Sequence, residues 1–229
     1  MPRTSPSTTP RRAAQDAPQT SSQILDVAER LAQTRGFNGF SYADIAAELG
    51  ITKASLHYHF PSKAELGRAL IDRYSTTFAA ALAALKHSGA TAPAQLERYV
   101  AMYAEVLKGG RICLCGMFAA EYTTLPPGMQ GAIRGFFDLN ERWLSRLLES
   151  GRAAHTLDFE GTAQDAARNI TAALEGAMLL ARPYADGARF AAAADRLLRG
   201  FAPAKRVTAT AGTGRGTPRA KARPRRARG

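Results

Sequence analysis

The stretch from Ile51 to Leu66, ITKASLHYHFPSKAEL, concentrates side chains that can do chemistry. Two imidazoles, two ammonium groups and a phenol could together ligate a metal, act as a base or donate hydrogen bonds to phosphate. His57 and His59 lie two residues apart, so on a helix they point to different faces and cannot chelate one metal ion. The spacing therefore favours phosphate binding, and we expect neither a metal site nor a cofactor.

A second reactive group occurs in GGRICLCGMFAAEYTTLPPGM, which contains both cysteines of the chain, Cys113 and Cys115. Gly109 and Gly110 end one helix, which places Cys113 in the first turn of the next. The helix dipole and the nearby Arg111 would stabilise a thiolate, so we expect the Cys113 pKa to lie below the usual value of about 8.5. A thiolate at this position could react with electrophiles or oxidants.

The alternative interpretation of both cysteines is structural, because cysteine is a small residue that is often buried. A disulfide between them is not expected while the helix persists, since residues two apart project to different sides. A catalytic pair of Cys113 with His87 or His155 is imaginable, but no recognised motif surrounds any of them. We therefore predict that the protein is not an enzyme.

The elements that carry these residues are helical, and the fold class predicted is all-α. Apolar residues recur at helical spacing, and no sustained alternation indicates a sheet. Ser41, Thr52 and Ser62 are suitable N-caps for three successive helices, and Gly36 and Gly50 end two of them. The predicted helices are a first one ending at Gly36, one carrying Ile45 to Leu49, then 53–59, 63–86, 93–108, 112–123, 127–150, 162–181 and 188–201.

A short helix, a glycine turn and a second short helix form a helix-turn-helix, whose second helix enters the major groove of DNA. The small side chains of Thr52, Ala54 and Ser55 would let its backbone approach base edges, and Lys53 could reach a guanine or a phosphate. Phosphate donors are expected where the helix leaves the groove and at the start of the preceding helix. These predicted donors are Tyr58, His59, Lys63, Ser41 and Tyr42.

The segment FSYADIAAELGITKASLHYHFPSKAEL resembles the DNA-binding signature of the TetR family of transcriptional regulators, over roughly Ile24 to Leu70. His57 departs from the family pattern, which usually has Tyr or Phe there, so its phosphate or packing role is open. The resemblance implies an N-terminal three-helix helix-turn-helix domain followed by a larger helical domain for effector binding and dimerisation. It also implies a homodimer that binds double-stranded operator DNA and releases it on binding a small-molecule effector.

The spacing Gly-x-x-Cys-Leu-x-Gly-x-x-x-x-Glu resembles TetR relatives that include the repressor of N-ethylmaleimide reductase and acrylate-responsive regulators. In the first of these subgroups a cysteine in this neighbourhood senses reactive electrophiles, which implies such a role for Cys113 or Cys115. A non-covalent hydrophobic effector is the alternative, because the surrounding residues are mostly apolar. The residues predicted to line an effector pocket are Met102, Tyr103, Met117, Phe118, Tyr122, Phe137 and Trp143.

The charge distribution sets the predicted domain boundaries. Of the formal net charge of +12, residues 202–229 carry +9 and residues 1–20 carry +2, which leaves +1 for residues 21–201. We predict a disordered arm at 1–20, the DNA-binding domain at 21–70, the helical body at 71–201 and a disordered basic tail at 202–229. The basic tail also raises the alternative of a sequence-independent DNA-binding protein, which would leave the nearly neutral body unexplained.

The last two predicted helices carry Ala and Gly beside Leu and Phe, which suits close helix packing in a dimer interface. No run of about 18 apolar residues is present, and the N-terminus lacks the apolar core of a signal peptide. We therefore expect a cytoplasmic protein with no membrane partner.

Overall fold

The all-α fold is confirmed by a computed structural model, which describes the backbone of residues 10–203 and the side chains of residues 19–203. Within these residues nine α-helices and two short 3-10 turns occur, and no strand. The helices are α1 (Pro10–Arg35), α2 (Tyr42–Leu49), α3 (Lys53–His59), α4 (Lys63–His87), α5 (Ala92–Lys108), α6 (Leu114–Ala120), α7 (Pro127–Ala153), α8 (Ala163–Ala181) and α9 (Gly187–Arg199).

Residues 21–70, called the head below, pack α2 and α3 against α1 and the start of α4. Ile24, Ile45, Leu56 and Leu66 are fully buried in the core that joins these helices. Gly50 ends α2 in the left-handed conformation, with φ +65°, which few other residues adopt without strain. This turn aims α3 across α2 and leaves the outer face of α3 in solvent.

Residues 71–201, called the body below, contain α5 to α9 and most of α4. Helix α8 packs between α7 and α9, and α4 packs against α7. The interior is aromatic and contains a polar link: the Tyr99 hydroxyl lies 3.0 Å from Asn140 Oδ1 and 3.1 Å from the Tyr103 hydroxyl. These bonds satisfy buried polar groups and fix α5 against α7.

Two helix boundaries differ from the sequence prediction. Helix α1 begins at Pro10 and so enters the predicted disordered arm; proline at a first helical position forfeits no helical hydrogen bond. Helix α6 is short, with Cys113 as its N-cap, and a 3-10 turn follows at Tyr122–Thr124. The predicted basic tail lies outside the described residues apart from 202 and 203. No helix in the described part of the chain is long and apolar enough to cross a membrane.

Candidate DNA-binding and effector sites

The outer face of α3 presents the predicted base-contacting residues to solvent. Thr52, Lys53 and Ala54 are exposed, and Tyr58 is 80% exposed, an unusual value for a large aromatic residue. Lys53 and Ala54 precede His57 and Tyr58 by four residues each, so all four share one helical face. The Thr52 hydroxyl caps α3 by accepting a hydrogen bond from Ser55 N at 3.1 Å. The Ser55 residue is half-buried. His59 is half-buried against the Tyr58 ring.

Tyr42 has a structural role that the sequence did not predict. Its ring is buried, its hydroxyl donates to the Phe60 carbonyl at 2.7 Å, and burial raises the pKa of this hydroxyl to about 12. The hydroxyl therefore already has an acceptor inside the protein, and its predicted donation to phosphate stays a prediction. The His57 ring lies 4.8 Å from the Tyr42 ring and its Nδ1 lies 3.1 Å from the Pro61 carbonyl, so His57 packs as well as facing solvent.

Lys63 also has a structural role that the sequence did not predict. Its ammonium donates to the carbonyls of Phe37, at 2.6 Å, and Phe40, and lies 4.6 and 4.5 Å from the centroids of their rings. Partial burial lowers its pKa, against the opposing charges of Glu121 and Asp44. Two of the three ammonium N–H groups of Lys63 serve these carbonyls, so the lysine has a structural role beside the phosphate contact, which stays a prediction.

The start of α2 is capped by its own side chains. Ser41 Oγ donates to Asp44 Oδ2 at 2.7 Å, and Ser41 N donates to the same oxygen at 2.8 Å. These bonds lower the Asp44 pKa, so its negative charge occupies the position where a phosphate was expected. A shallow depression of about 330 Å³ nevertheless brings Ser41 together with Lys53, His57 and Lys63. Within this depression Lys53 is an exposed cation.

The segment around Cys113, from Ile112 to Glu121, is hydrogen-bonded to the head. The Glu121 carboxylate accepts from Phe37 N at 2.7 Å and from Asn38 N at 3.3 Å, and Ile112 N donates to the Gln33 carbonyl at 3.4 Å. The Phe118 ring packs edge-on against Phe37 with 5.6 Å between centroids. A displacement of α6 must therefore act on the turn that precedes α2.

The two cysteines are free thiols and fully buried, at 2% exposure for Cys113 and 0% for Cys115. Cys113 Sγ accepts from Gly116 N at 3.4 Å, as the helix-start position predicts. Burial and the Glu175 carboxylate nevertheless raise the pKa of both thiols well above their ordinary value. The prediction of a lowered Cys113 pKa was wrong, because the desolvation of a thiolate outweighs one backbone hydrogen bond.

Glu175 of α8 is an acid inside this apolar region. Burial raises the pKa of its carboxyl group to about 7, against the opposing influence of the nearby Cys113 thiol. Oε1 is buried and has no hydrogen-bond partner, while Oε2 lies so close to Gly116 that a Cβ there would overlap it. Glycine at 116 is therefore what lets this carboxyl group reach the thiol. Tyr74 also contacts Cys113 from α4.

The predicted pocket residues lie in separate environments. Tyr103 and Trp143 pack on Tyr99, Phe118 contacts the head, and Phe137 packs on Phe136. Tyr122 accepts from Arg134, Met117 contacts Arg182, and Met102 is half-buried on α5. None of the seven lines the main cleft. That cleft, of about 770 Å³, lies between α5, the end of α8 and α9 and is lined mostly by apolar residues with Lys108, Arg182 and Asp186.

Comparison with known proteins agrees with this architecture. Residues 24–70 match the profile of bacterial regulatory proteins of the tetR family. The chain is 30% identical over 173 residues to the HTH-type transcriptional repressor NemR of Escherichia coli, covering 71% of this chain and 84% of NemR. The chain belongs to the TetR family. A family regulator of solved structure from Agrobacterium tumefaciens shares 33% identity with a TM-score of 0.78, covering 81% of this chain and 99% of that protein.

Some relatives match only the N-terminal part of the chain. The HTH-type transcriptional regulator TtgR of Pseudomonas putida is 40% identical over 67 residues, which is 29% of this chain and 32% of TtgR. The chain thus spans about a third of the length of TtgR. The match to the family profile covers residues 24–70, and the body has to be interpreted from its own geometry.

Sequence reasoning missed Glu175, Arg182 and the role of Glu121. Arg182 donates to the Thr34 carbonyl at the end of α1, which ties α8 to the head. One signal was available for Glu175: it is an acid within the otherwise apolar run AALEGAMLLA. Glu121 ends the spacing Gly-x-x-Cys-Leu-x-Gly-x-x-x-x-Glu, but that spacing does not reveal its partner, 84 residues away. No signal marks Arg182, whose partner lies 148 residues away.

Proposed function

We propose that the protein is a homodimeric repressor that binds a two-fold symmetric operator and releases it when a small electrophile modifies Cys113. The observation that carries the proposal is that the Cys113 segment is hydrogen-bonded to the head through Ile112 and Glu121. Bulk added to a fully buried thiol must displace its neighbours. The first of these, α6, is held directly against the turn that positions α2 and α3.

The DNA-binding part of the proposal is supported by the exposed face of α3. Lys53, His57 and Tyr58 stand clear of the core and face one direction, as required of a helix in the major groove. In a dimer, two such helices would lie about 34–36 Å apart to reach successive grooves.

The dimer is supported by the apolar surface at the end of α8. Leu179, Leu180 and Tyr184 are 50%, 69% and 62% exposed, beside exposed alanines on α9. A second copy of the same surface would bury these side chains. Leu180→Glu should give monomers by light scattering and lose operator binding, because one head provides only half of the contacts. A dimer that persists in this variant would place the interface elsewhere.

An electrophile is supported as the effector by the family relation. The repressor NemR matches 71% of this chain, and a solved structure of its reduced form aligns with a TM-score of 0.70 at 26% identity, covering 80% of this chain and 98% of NemR. The buried thiol of Cys113 next to a carboxylate provides the reactive group.

The cleft between α5 and α9 favours a second candidate, a non-covalent apolar effector. Its volume of about 770 Å³ suits a small organic molecule, and Lys108 and Arg182 could bind an anionic group on it. Such a ligand would act through Arg182, which reaches the Thr34 carbonyl of the head.

A gel-shift titration on the operator with single-cysteine proteins tests the covalent proposal. Cys115→Ser treated with N-ethylmaleimide should release the operator, whereas Cys113→Ser should retain it. The matched control is the same reagent on the double serine variant. Release from Cys113→Ser equal to that of the unsubstituted protein would make Cys113 a packing residue and favour the cleft.

A further inference from the structure

The surroundings of Cys113 disfavour the thiolate that a reactive cysteine needs. Only a thiolate attacks an electrophile efficiently, yet burial and a neighbouring carboxylate keep this thiol protonated. Arg111, the cation expected to help, is directed instead toward Gln33 Oε1 at 3.4 Å. The proton must therefore be removed at the moment of reaction by a group that already contacts the thiol.

Glu175 meets this requirement by position. Glu175 Oε2 and Cys113 Cβ both lie against Gly116, where an added Cβ would overlap the carboxylate, so the glycine lets the acid and the thiol approach across the α6–α8 contact. Oε1 has no hydrogen-bond partner although it is buried, an arrangement that costs stability and calls for an explanation. A carboxylate oxygen left without a donor in the folded protein is free to accept a proton.

The other titratable groups facing the thiol do not compete for this proton. They come from α4, α5 and α6, and burial raises the pKa of each well above neutrality: Tyr74, Tyr99, Tyr103 and Cys115. Among these groups in the described structure, Glu175 is the one that changes charge near pH 7. An acid that titrates near the working pH is well matched to act as a general base.

We propose that Glu175 accepts the proton of the Cys113 thiol when this thiol attacks an α,β-unsaturated carbonyl compound. The proposal rests on the proposed function, in which Cys113 is the modified residue. The sulfur–carbon bond forms at the β-carbon as the thiol proton moves to the Glu175 carboxylate. The π electrons of the carbon–carbon double bond move toward the carbonyl as an enolate. The α-carbon then takes this proton from Glu175, which leaves a neutral thioether and an ionised Glu175.

The test is the rate of alkylation by N-ethylmaleimide, followed by mass spectrometry without DNA. Cys115→Ser leaves Cys113 as the single thiol of the chain. Adding Glu175→Gln to it should slow alkylation at least about 10-fold at pH 7.5, as the loss of a general base does. Glu175→Asp should retain part of the rate. If the carboxylate only suppressed the thiolate, Glu175→Gln would speed the reaction, and an equal or faster rate overturns the proposal.

A matched control separates proton transfer from opening of the buried segment. Cys113→Ser leaves only Cys115, two residues away and equally buried. Glu175→Gln should change its alkylation rate by less than about 3-fold, since general-base effects are specific to the contacted thiol. Parallel slowing of both thiols would mean that Glu175 governs access to α6, which also overturns the proposal.

The pH profile provides a readout that does not depend on folding of the Glu175 variants. In Cys115→Ser the rate should rise with pH and level off above about pH 7, where Glu175 is ionised. A rate that keeps rising about tenfold per pH unit to pH 9 would assign the titration to the thiol itself. Operator release is measured separately: Cys113 alkylation that leaves the operator bound refutes the proposed function and leaves the role of Glu175 standing.

Discussion

The helix-turn-helix head and the thiol region of the body place their functional side chains in opposite environments. Lys53 and Tyr58 are exposed and lie within a few residues of one another in a helix that is capped by its own Thr52. Cys113 at the start of α6 is buried, whereas Tyr74 of α4 is half-buried and Glu175 of α8 is half-buried with its Oε1 inaccessible to solvent. A DNA-binding surface needs only a rigid helix with exposed side chains, whereas a buried reactive group needs neighbours that set its protonation state.

Among substitutions that compare the two regions, Glu175→Gln should change the free energy of unfolding most. The folded protein raises the Glu175 pKa from 4.5 to about 7, so the folded form binds its proton more tightly than the unfolded chain. Stability is therefore lost as pH rises from 4.5 to 7, and the cost is complete above pH 7. The variant should gain about 1–3 kcal/mol at pH 8 and nothing at pH 4.5.

Denaturant unfolding at the two pH values measures this difference. Glu121→Gln, the same substitution of an acid at the head–body contact, serves as the control. A gain for Glu175→Gln that is the same at both pH values would show that the carboxyl group is not held neutral by burial.

Glu121→Ala should break the link between the two regions. It leaves Phe37 N and Asn38 N without their carboxylate acceptor and should cost about 1–3 kcal/mol in thermal unfolding. Alkylation of Cys113 should then change operator affinity less than in the unsubstituted protein. Thr124→Ala is the matched control, because it removes the Asn38 side-chain bond at 2.9 Å and the bond to the Glu121 backbone carbonyl at 2.8 Å but keeps the Glu121 carboxylate. If alkylation changes operator affinity in Glu121→Ala as much as in the unsubstituted protein, the structural change reaches the head through α4 or Arg182 instead.

Lys63→Met should destabilise the head by about 1–2 kcal/mol, because the carbonyls of Phe37 and Phe40 lose their donor. The salt dependence of DNA binding should change little. Lys63→Arg, which keeps the charge, separates the two effects. A salt slope that falls by about one unit, without loss of stability, would instead support Lys63 as a phosphate contact.

Lys53→Ala should leave stability within about 0.5 kcal/mol, as expected of an exposed residue, and weaken operator binding about 5- to 10-fold. Competition between the operator and random DNA distinguishes a base contact from a phosphate contact. An equal loss on both would place Lys53 on the backbone of the DNA, where it would also lower the salt slope.

The sequence by itself determined the helical fold, the caps at Thr52 and Ser62, the Gly50 turn and the exposed face of α3. Each of these depends on interactions within a few residues, which sequence spacing records. Only the tertiary structure decided that Tyr42 and Lys63 hold the head together, that Glu121 joins it to the body and that the Cys113 thiol stays protonated. These outcomes depend on burial and on partners distant in the chain, and desolvation by packed helices outweighed the local helix dipole on which the sequence argument relied.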